Sequence, residues 1–283
     1  MRYGRRNSAR VQAENRRKFL YQMPATSHNM SELGGTPNLG GTPKEEFLSS
    51  VRSALGREKA APLIPYPLLE ESLPDLEAQA QEIRQRLTEN LPLILDKFER
   101  MAILGGWNVH RATGYEDAIE YAVSLVNSLG VDRTVRSNQP VFDELPLDSA
   151  LTNLGVTVTQ VTQGADQSRE SLRQEIIASG LGLTGADYAV AETGTVVIMP
   201  RKGLSRLVSL VPPVHLALVR PQDVVETLAD LFLLRRLQFH SNYGEMGSYL
   251  NFITGPSRTA DIESTLVVGV HGPKEVHLVL LDR

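Results

Sequence analysis

The stretch 214-VHLALVRPQDVVETLADLFLLRRL-237 decides the fold. His215 to Val219 form a short, nearly unbroken apolar run, the pattern of a strand covered on both faces. Pro221 then presets φ for a first helical turn that holds Asp223. Val224, Val225, Leu228, Leu231 and Phe232 carry the helix to about Leu237. Arg235 and Arg236 fall near its end, where the dipole favours cations. The same alternation spreads outward on both sides. Upstream, Tyr188–Ala191 and Thr195–Met199 are short strands around Glu192-Thr193-Gly194, and Gly185-Ala186-Asp187 leads into the first. Ser168–Ser179 reads as a helix before Gly180. Val156, Val158 and Val161 mark a β-branched strand. Phe142–Leu154 reads as one helix stopped by Gly155, Thr134–Ser137 as a short strand, and Tyr115–Leu129 as a helix stopped by Gly130. Downstream, Phe252-Ile253-Thr254 is a strand, and Thr265–Val268 and Val276–Leu281 close the sheet. Strands alternating with helices predict an α/β fold: an open, mainly parallel sheet with helices on both faces.

The N-terminal part differs. Residues 1–43 form a basic, Gly/Thr/Pro-containing tail and linker, expected to be disordered from its composition. A mis-assigned start, with Met23 or Met30 as the true one, or a basic interaction arm would each account for it. Residues 44–100 read as an N-terminal helical segment. Phe47, Leu48, Val51 and Leu55 recur at helical spacing up to Gly56. A connector with Pro62, Pro65, Pro67 and Pro74 follows. A second helical pattern runs from Asp75 to about Phe98, broken or kinked by Pro92. Residues 101–283 form the α/β domain.

Composition excludes several function classes. The chain has 283 residues, 41% of them apolar and 22% charged, an ordinary globular balance. It has no cysteine, which removes cluster ligation, thiolate zinc, a cysteine nucleophile and disulfides. Residues 1–41 carry seven basic and two acidic residues, a net +5 within a total of −4, so the remainder sums to −9. An acidic body has no general attraction for nucleic acid. No apolar run approaches the roughly 18 residues of a membrane span.

Three loops could hold chemistry. In 253-ITGPSRTADIE-263, a strand ends at Thr254 and Gly255-Pro256 turns the chain. Ser257 or Thr259 can cap a new helix with Asp261 and Glu263 in its first turn. Free backbone N–H groups and Arg258 would suit a phosphate or carboxylate at the carboxyl edge of the sheet; a plain structural turn is the alternative. In 182-GLTGADYAVAETGTVVI-198, Glu192 could be a base, a nucleophile or a metal ligand, with Thr193, Gly194 and Thr195 as neighbouring donors, or it could solvate a hairpin tip. In 203-GLSRLVSLVPPVH-215, Ser205 and Arg206 precede an apolar run. Arg206 could grip a carboxylate, while His215 reads as a core residue. Gly105-Gly106-Trp107 and His110-Arg111 read as a loop. No HExxH or GxxxxGK[ST] signature occurs.

Three segments, 182-GLTGADYAVAETGTVVI-198, 205-SRLVSLVPPVHLALV-219 and 253-ITGPSRTADIESTLVVGVHGPKEVHLVLLD-282, together resemble the LUD domain of LutC-type lactate utilization proteins. The likeness covers about 44–283 and is strongest from 180 onward. It implies a sugar-phosphate isomerase/CoA-transferase-like fold. It also implies a cytoplasmic system in which two iron–sulfur partner proteins support oxidation of L-lactate to pyruvate. No cofactor is expected on this chain, and iron–sulfur clusters are expected on the partners. Larger relatives fuse ferredoxin-like cysteine motifs that this chain lacks. In the CoA-transferase branch a glutamate at a strand end, followed closely by glycine, is the nucleophile; Glu192-Thr193-Gly194 is similar in residue type.

Two functions compete at this point. One is a subunit of a lactate-oxidising complex. The other is a stand-alone enzyme or binding protein for a small phosphorylated, carboxylated or CoA-like ligand. Expected contacts for a small anionic ligand are Thr193, Gly194, Thr195, Ser205, Arg206, Gly255, Ser257, Arg258 and Thr259. No metal site is expected, and neither a nucleic-acid partner nor a membrane span.

Overall fold

The computed structural model describes residues 44–56, 71–162, 168–201, 204–242, 247, 249–260 and 266–282. The expectations for the tail, for Pro62, Pro65 and Pro67, and for Asp261 and Glu263 fall outside them. The chain divides into two compact units, Met1–Pro65 and Tyr66–Arg283. In the first, α1 (Lys44–Ala54) carries Phe47 and Val51, and Leu55 follows its end, all three exposed.

The second unit begins with α2 (Leu73–Glu89) and α3 (Leu91–Gly105). Ser72 caps α2 by accepting the Asp75 N–H. The break falls at Asn90, and Pro92 sits in the first turn of α3, where a missing N–H costs nothing. Next come β1 (Asn108–Ala112), α4 (Tyr115–Leu129) and β2 (Arg133–Arg136). Two short helices follow, α5 (Val141–Glu144) and α6 (Leu147–Asn153), then β3 (Thr157–Gln160) and α7 (Arg169–Ala178). β4 (Leu181–Gly185), β5 (Tyr188–Val190) and β6 (Thr195–Ile198) lead to α8 (Leu207–Leu210) and β7 (Val214–Val219). After β8 (Val224–Val225) and α9 (Leu228–Ser241) come β9 (Asn251–Ile253), β10 (Arg258–Ala260), β11 (Leu266–Val268) and β12 (Glu275–Leu281).

Six strands form a wholly parallel sheet in the order β1-β12-β7-β4-β2-β3. The expected α/β fold with an open parallel sheet is therefore present. One face is covered by α4, α5 and α6 through Ala118, Ala122, Leu125, Phe142, Leu147 and Leu151. The other is covered by α3, through Ile94, Leu95, Phe98 and Ala102, and by a second sheet ordered β8-β5-β6-β9. α9 packs on that sheet through Leu231, and α2 packs on α9 through Leu76, Ala80, Ile83 and Leu233.

Several local expectations change. Gly105 to Arg111 is not a loop, because Asn108–Ala112 pairs with β12. The 142–154 helix is split around Pro146, which cannot continue an i→i−4 ladder. Pro221 opens only a single 3₁₀ turn. The helix starts at Leu228 because Thr227 and Asp230 form a reciprocal capping box. It then runs on to Ser241, so Arg235 lies well inside it rather than near its end. The segment after Gly255-Pro256 is not a helix but a hairpin of β10 and β11, separate from the main sheet. Leu266, Val267 and Val268 are all exposed there. β4 carries no clear strand signal because Gly182 and Gly185 are poor strand formers. Gly182 is required by packing: a Cβ there would lie 1.9 Å from the Val208 carbonyl oxygen of α8.

Candidate functional site

The loops singled out in the sequence converge at the amino edge of the main sheet. Gly105 and Gly106 sit just before β1, and Pro273 just before β12. A Cβ on Gly105 would meet the Thr254 carbonyl oxygen at 2.3 Å, and one on Gly255, at φ +151°, would meet the Gly105 oxygen at 2.1 Å. Only glycine permits that approach. A Cβ on Gly106 would lie 2.3 Å from Nη2 of Arg258. Ser257 is tethered to the loop before β12: its N–H donates to the Pro273 carbonyl at 2.9 Å, and its Oγ accepts the His271 N–H at 3.2 Å. This geometry corrects the expected carboxyl-edge placement of this loop over its described residues, 253–260. It also removes the expected helix cap by Ser257 or Thr259, since Thr259 pairs with Val267 inside the hairpin.

The Glu192–Thr195 turn reaches the same edge by another route. Thr193 Oγ1 donates to Thr195 Oγ1 at 2.8 Å, and Thr195 Oγ1 is 2.9 Å from Thr254 Oγ1. Gly194, at φ +62°, lies against the Met101–Ala102 backbone of α3. Glu192 is turned elsewhere. Its N–H donates to the Glu226 carbonyl at 3.0 Å, and its Oε1 accepts the Leu228 N–H, the first of α9, at 2.8 Å. A carboxylate at that position satisfies an orphan donor and faces the positive end of the helix dipole.

The third loop joins through α8. Ser205 Oγ accepts the Leu207 N–H at 3.2 Å. Arg206 is exposed, with its guanidinium 5.2 Å from the Tyr249 ring centroid. Leu210 and Ser257 both approach Gly272. The structure thus gathers Thr195, Gly255, Ser257 and Arg258 around Gly105-Gly106, links Ser205 and Arg206 to them through α8, and sends Glu192 to α9.

Beneath this edge lies a polar core. His215 is fully buried on β7 and pairs with Thr184, Nε2 to Oγ1 at 2.8 Å. Trp107 is tilted beside it, 5.9 Å between ring centroids. Burial, aided by nearby His277, pushes the His215 imidazole down to about 3, so it is neutral at physiological pH.

The carboxyl edge carries groups that sequence reasoning missed. β2 leads outward to β3 whereas β4 leads the other way to β7, which makes a topological switch between β2 and β4. Gln139 Oε1 bridges that crevice, accepting the Ser137 hydroxyl at 2.7 Å and the Gly185 N–H at 2.8 Å. Nearby, Arg220 grips Asp223 through Nε and Nη2 at 2.8 and 3.0 Å and Glu144 through Nη1 at 2.8 Å; the Tyr115 hydroxyl donates to Glu144 at 2.7 Å. Burial raises the Asp223 carboxyl, and Arg220 opposes that shift. Arg220-Pro221-Gln222-Asp223, directly after an apolar strand, was the one available signal for this network. Among the described residues no cluster of three or more His, Asp or Glu is placed to hold a metal. No described helix is long and apolar enough to cross a membrane.

Comparison with known proteins locates this architecture. The LUD domain family matches residues 95–281. Lactate utilization protein C of Halalkalibacterium halodurans is 36% identical over 170 residues, covering 59% of this chain and 71% of that protein. Lactate utilization protein C of Bacillus subtilis is 31% identical over 245 residues, 85% of this chain and 97% of that protein. Lactate utilization protein B of Shouchella clausii is 24% identical over 250 residues, and the chain spans only 51% of its length. A crystal structure of a DUF162 family protein from Deinococcus radiodurans superposes with a TM-score of 0.43 at 21% identity, over 68% of this chain and 98% of that one. With two thirds of its length inside the family match and nearly all of the Bacillus subtilis protein aligned, the chain belongs to the LUD domain family and is of the lactate utilization protein C type.

Proposed function

We propose that the protein is a subunit of a cytoplasmic L-lactate utilization system and supports oxidation of L-lactate to pyruvate alongside iron–sulfur partner proteins. The alignment with nearly the whole of a protein named for lactate utilization carries this reading. The absence of cysteine supports a division of labour, because a cluster needs thiolate ligands that this chain does not possess. The experiment is purification of the tagged full chain from native extract. A cysteine-rich partner recovered in stoichiometric amount, with lactate-dependent reduction of an added dye, is the expected result. A chain that isolates alone and turns over substrate by itself would overturn the proposal in favour of a stand-alone enzyme.

Two roles compete for Glu192, a nucleophile and a helix cap, and its bond to the Leu228 N–H supports the cap. Glu192→Ala should therefore lower stability by about 1 kcal/mol, the usual cost of a lost cap. Glu192→Gln keeps a carbonyl oxygen for Leu228 and should lose less. Lactate-dependent oxygen uptake by the reconstituted complex should barely change in Glu192→Gln. A sharp fall in uptake with an unaltered unfolding midpoint would assign the carboxylate a chemical role instead.

A further inference from the structure

Arg235 presents an electrostatic problem that the other described residues do not solve. It sits inside α9 and is only 5% exposed. The other largely buried arginines each hold a carboxylate: Arg111 with Asp96 and Asp282, Arg136 with Asp148, Arg220 with Asp223 and Glu144, and Arg236 with Glu71. Arg235 has none within 4.0 Å among the described residues. Its Nη1 donates to the Gln238 amide oxygen, its head also adjoins the Tyr188 hydroxyl, and its buried Nε has no partner. A guanidinium cannot shed its proton at any ordinary pH, so it cannot escape the cost of burial by neutralising. A buried charge persists when something of opposite sign completes it.

The surroundings point to what that something is. Nε and Nη2 form the edge of a guanidinium that holds two oxygens of one carboxylate or phosphate in parallel bonds. The neighbouring side chain is the Tyr188 phenol at the start of β5. Burial pushes that hydroxyl up, while Arg235 and Arg84 act on it in the opposite direction, so two cations and a hydroxyl donor share one neighbourhood. Arg84, on α2, is exposed and Tyr188 partly so, whereas the Arg235 Nε lies covered beneath them. Asp187, the adjacent acid, is already occupied by Arg201 and by the Met199 N–H. Tyr188 itself packs against an apolar cluster of Val190, Val197, Val225 and Leu231. A low-dielectric neighbour strengthens an ion pair formed against it.

We propose that Arg235 anchors an oxyanion-binding site on the face shared by α9, β5 and α2, where the Nε–Nη2 edge takes a small carboxylate or phosphate group and the Tyr188 hydroxyl supplies a second donor. The site is distinct from the amino-edge loops around Arg258 and does not depend on the lactate reading.

The test is an anion titration of the full chain read by its thermal midpoint. Sodium phosphate and sodium L-lactate are the two probes, each against sodium chloride at matched ionic strength. The expected result is a saturable rise of about 5 °C with at least one probe at roughly a hundredfold above its Kd. The probe that acts separates a phosphate site from a carboxylate site. Arg235→Met should abolish the rise, and Arg235→Lys, which keeps the charge but not the fork, should weaken binding at least about tenfold. Arg258→Ala should leave the rise in place. In anion-free buffer Arg235→Met should fold with a midpoint equal to or above that of the natural chain, because an unpaired buried charge is gone. A flat response to both probes overturns the proposal. So does a response kept in Arg235→Met or lost in Arg258→Ala. An anion-free midpoint that drops in Arg235→Met would also overturn it, by showing the guanidinium to be satisfied already.

Discussion

Gly182→Ala should leave little soluble, folded protein. Gly182 is fully inside the main sheet on β4, and its absent side chain makes room for α8. A methyl group there would lie 1.9 Å from the Val208 carbonyl oxygen, 3.1 Å from its carbon and 3.1 Å from the Pro212 ring. The first two are backbone atoms, so no rotamer change relieves the clash. Either α8 lifts away or β4 separates from β7, and each exposes core. We expect a loss of more than about 3 kcal/mol, at the upper end for overpacking. Gly130→Ala is the control. Gly130 has φ +62°, yet nothing lies within 4 Å of a built Cβ, so only backbone strain of about 1 kcal/mol is added. Soluble yield and urea midpoint of the two variants provide the comparison. Similar losses in both would mean that α8 is not seated on β4 as described.

The second large effect is acid sensitivity centred on His215. Its folded value, about 3, lies below the ordinary value of 6.5, chiefly because burial disfavours the charged form. The unfolded chain therefore binds the proton first. Stability from this residue is fully present above pH 6.5 and falls as pH drops from 6.5 towards 3, by about 1.4 kcal/mol per pH unit. His215→Gln retains a partner for Thr184 but removes the titration. It should start from a lower stability at pH 7, where packing against Trp107 is altered. It should then lose less on acidification than the natural chain, the slopes differing by one proton. Urea unfolding at pH 7, 6, 5 and 4 measures both slopes, and parallel lines would refute the assignment.

Part of this was legible in the residues and part was not, for reasons that are local. β7, β6 and α4 declare themselves through unbroken apolar runs or a 3.6-residue period closed by a glycine. β1 and β4 do not. β1 mixes Asn108, His110 and Arg111 because it is an edge strand whose one sheet neighbour is β12. β4 uses Gly182 because α8 takes the place of a side chain. In the 253–263 segment, serine and threonine before acidic residues imitate a helix start. The long-range bonds of Ser257 to Pro273 and of its carbonyl to the Gly269 N–H override that pattern. The sequence marked Gly255, Ser257, Arg258, Thr193 and Thr195, and those residues do assemble; the edge at which they meet is set by strand connectivity, which no short motif encodes. Arg235 read as an ordinary dipole-facing cation because the end of α9 was placed too early.

The position of β12 governs when this sheet can exist. In sequence it is the last described strand, yet in space it lies between β1 and β7 and is the only main-sheet neighbour of β1. During synthesis β1 leaves the ribosome early and must wait for residues 275–281 before it can pair. At about 5–20 residues per second that wait is on the order of ten seconds or more. Throughout it, β1 and the β12-facing side of β7 are open edges, available to other chains. Sequential closure from the N-terminus is therefore impossible for this topology. The nascent protein depends on protection of two strands until the carboxyl-terminal one arrives to join them.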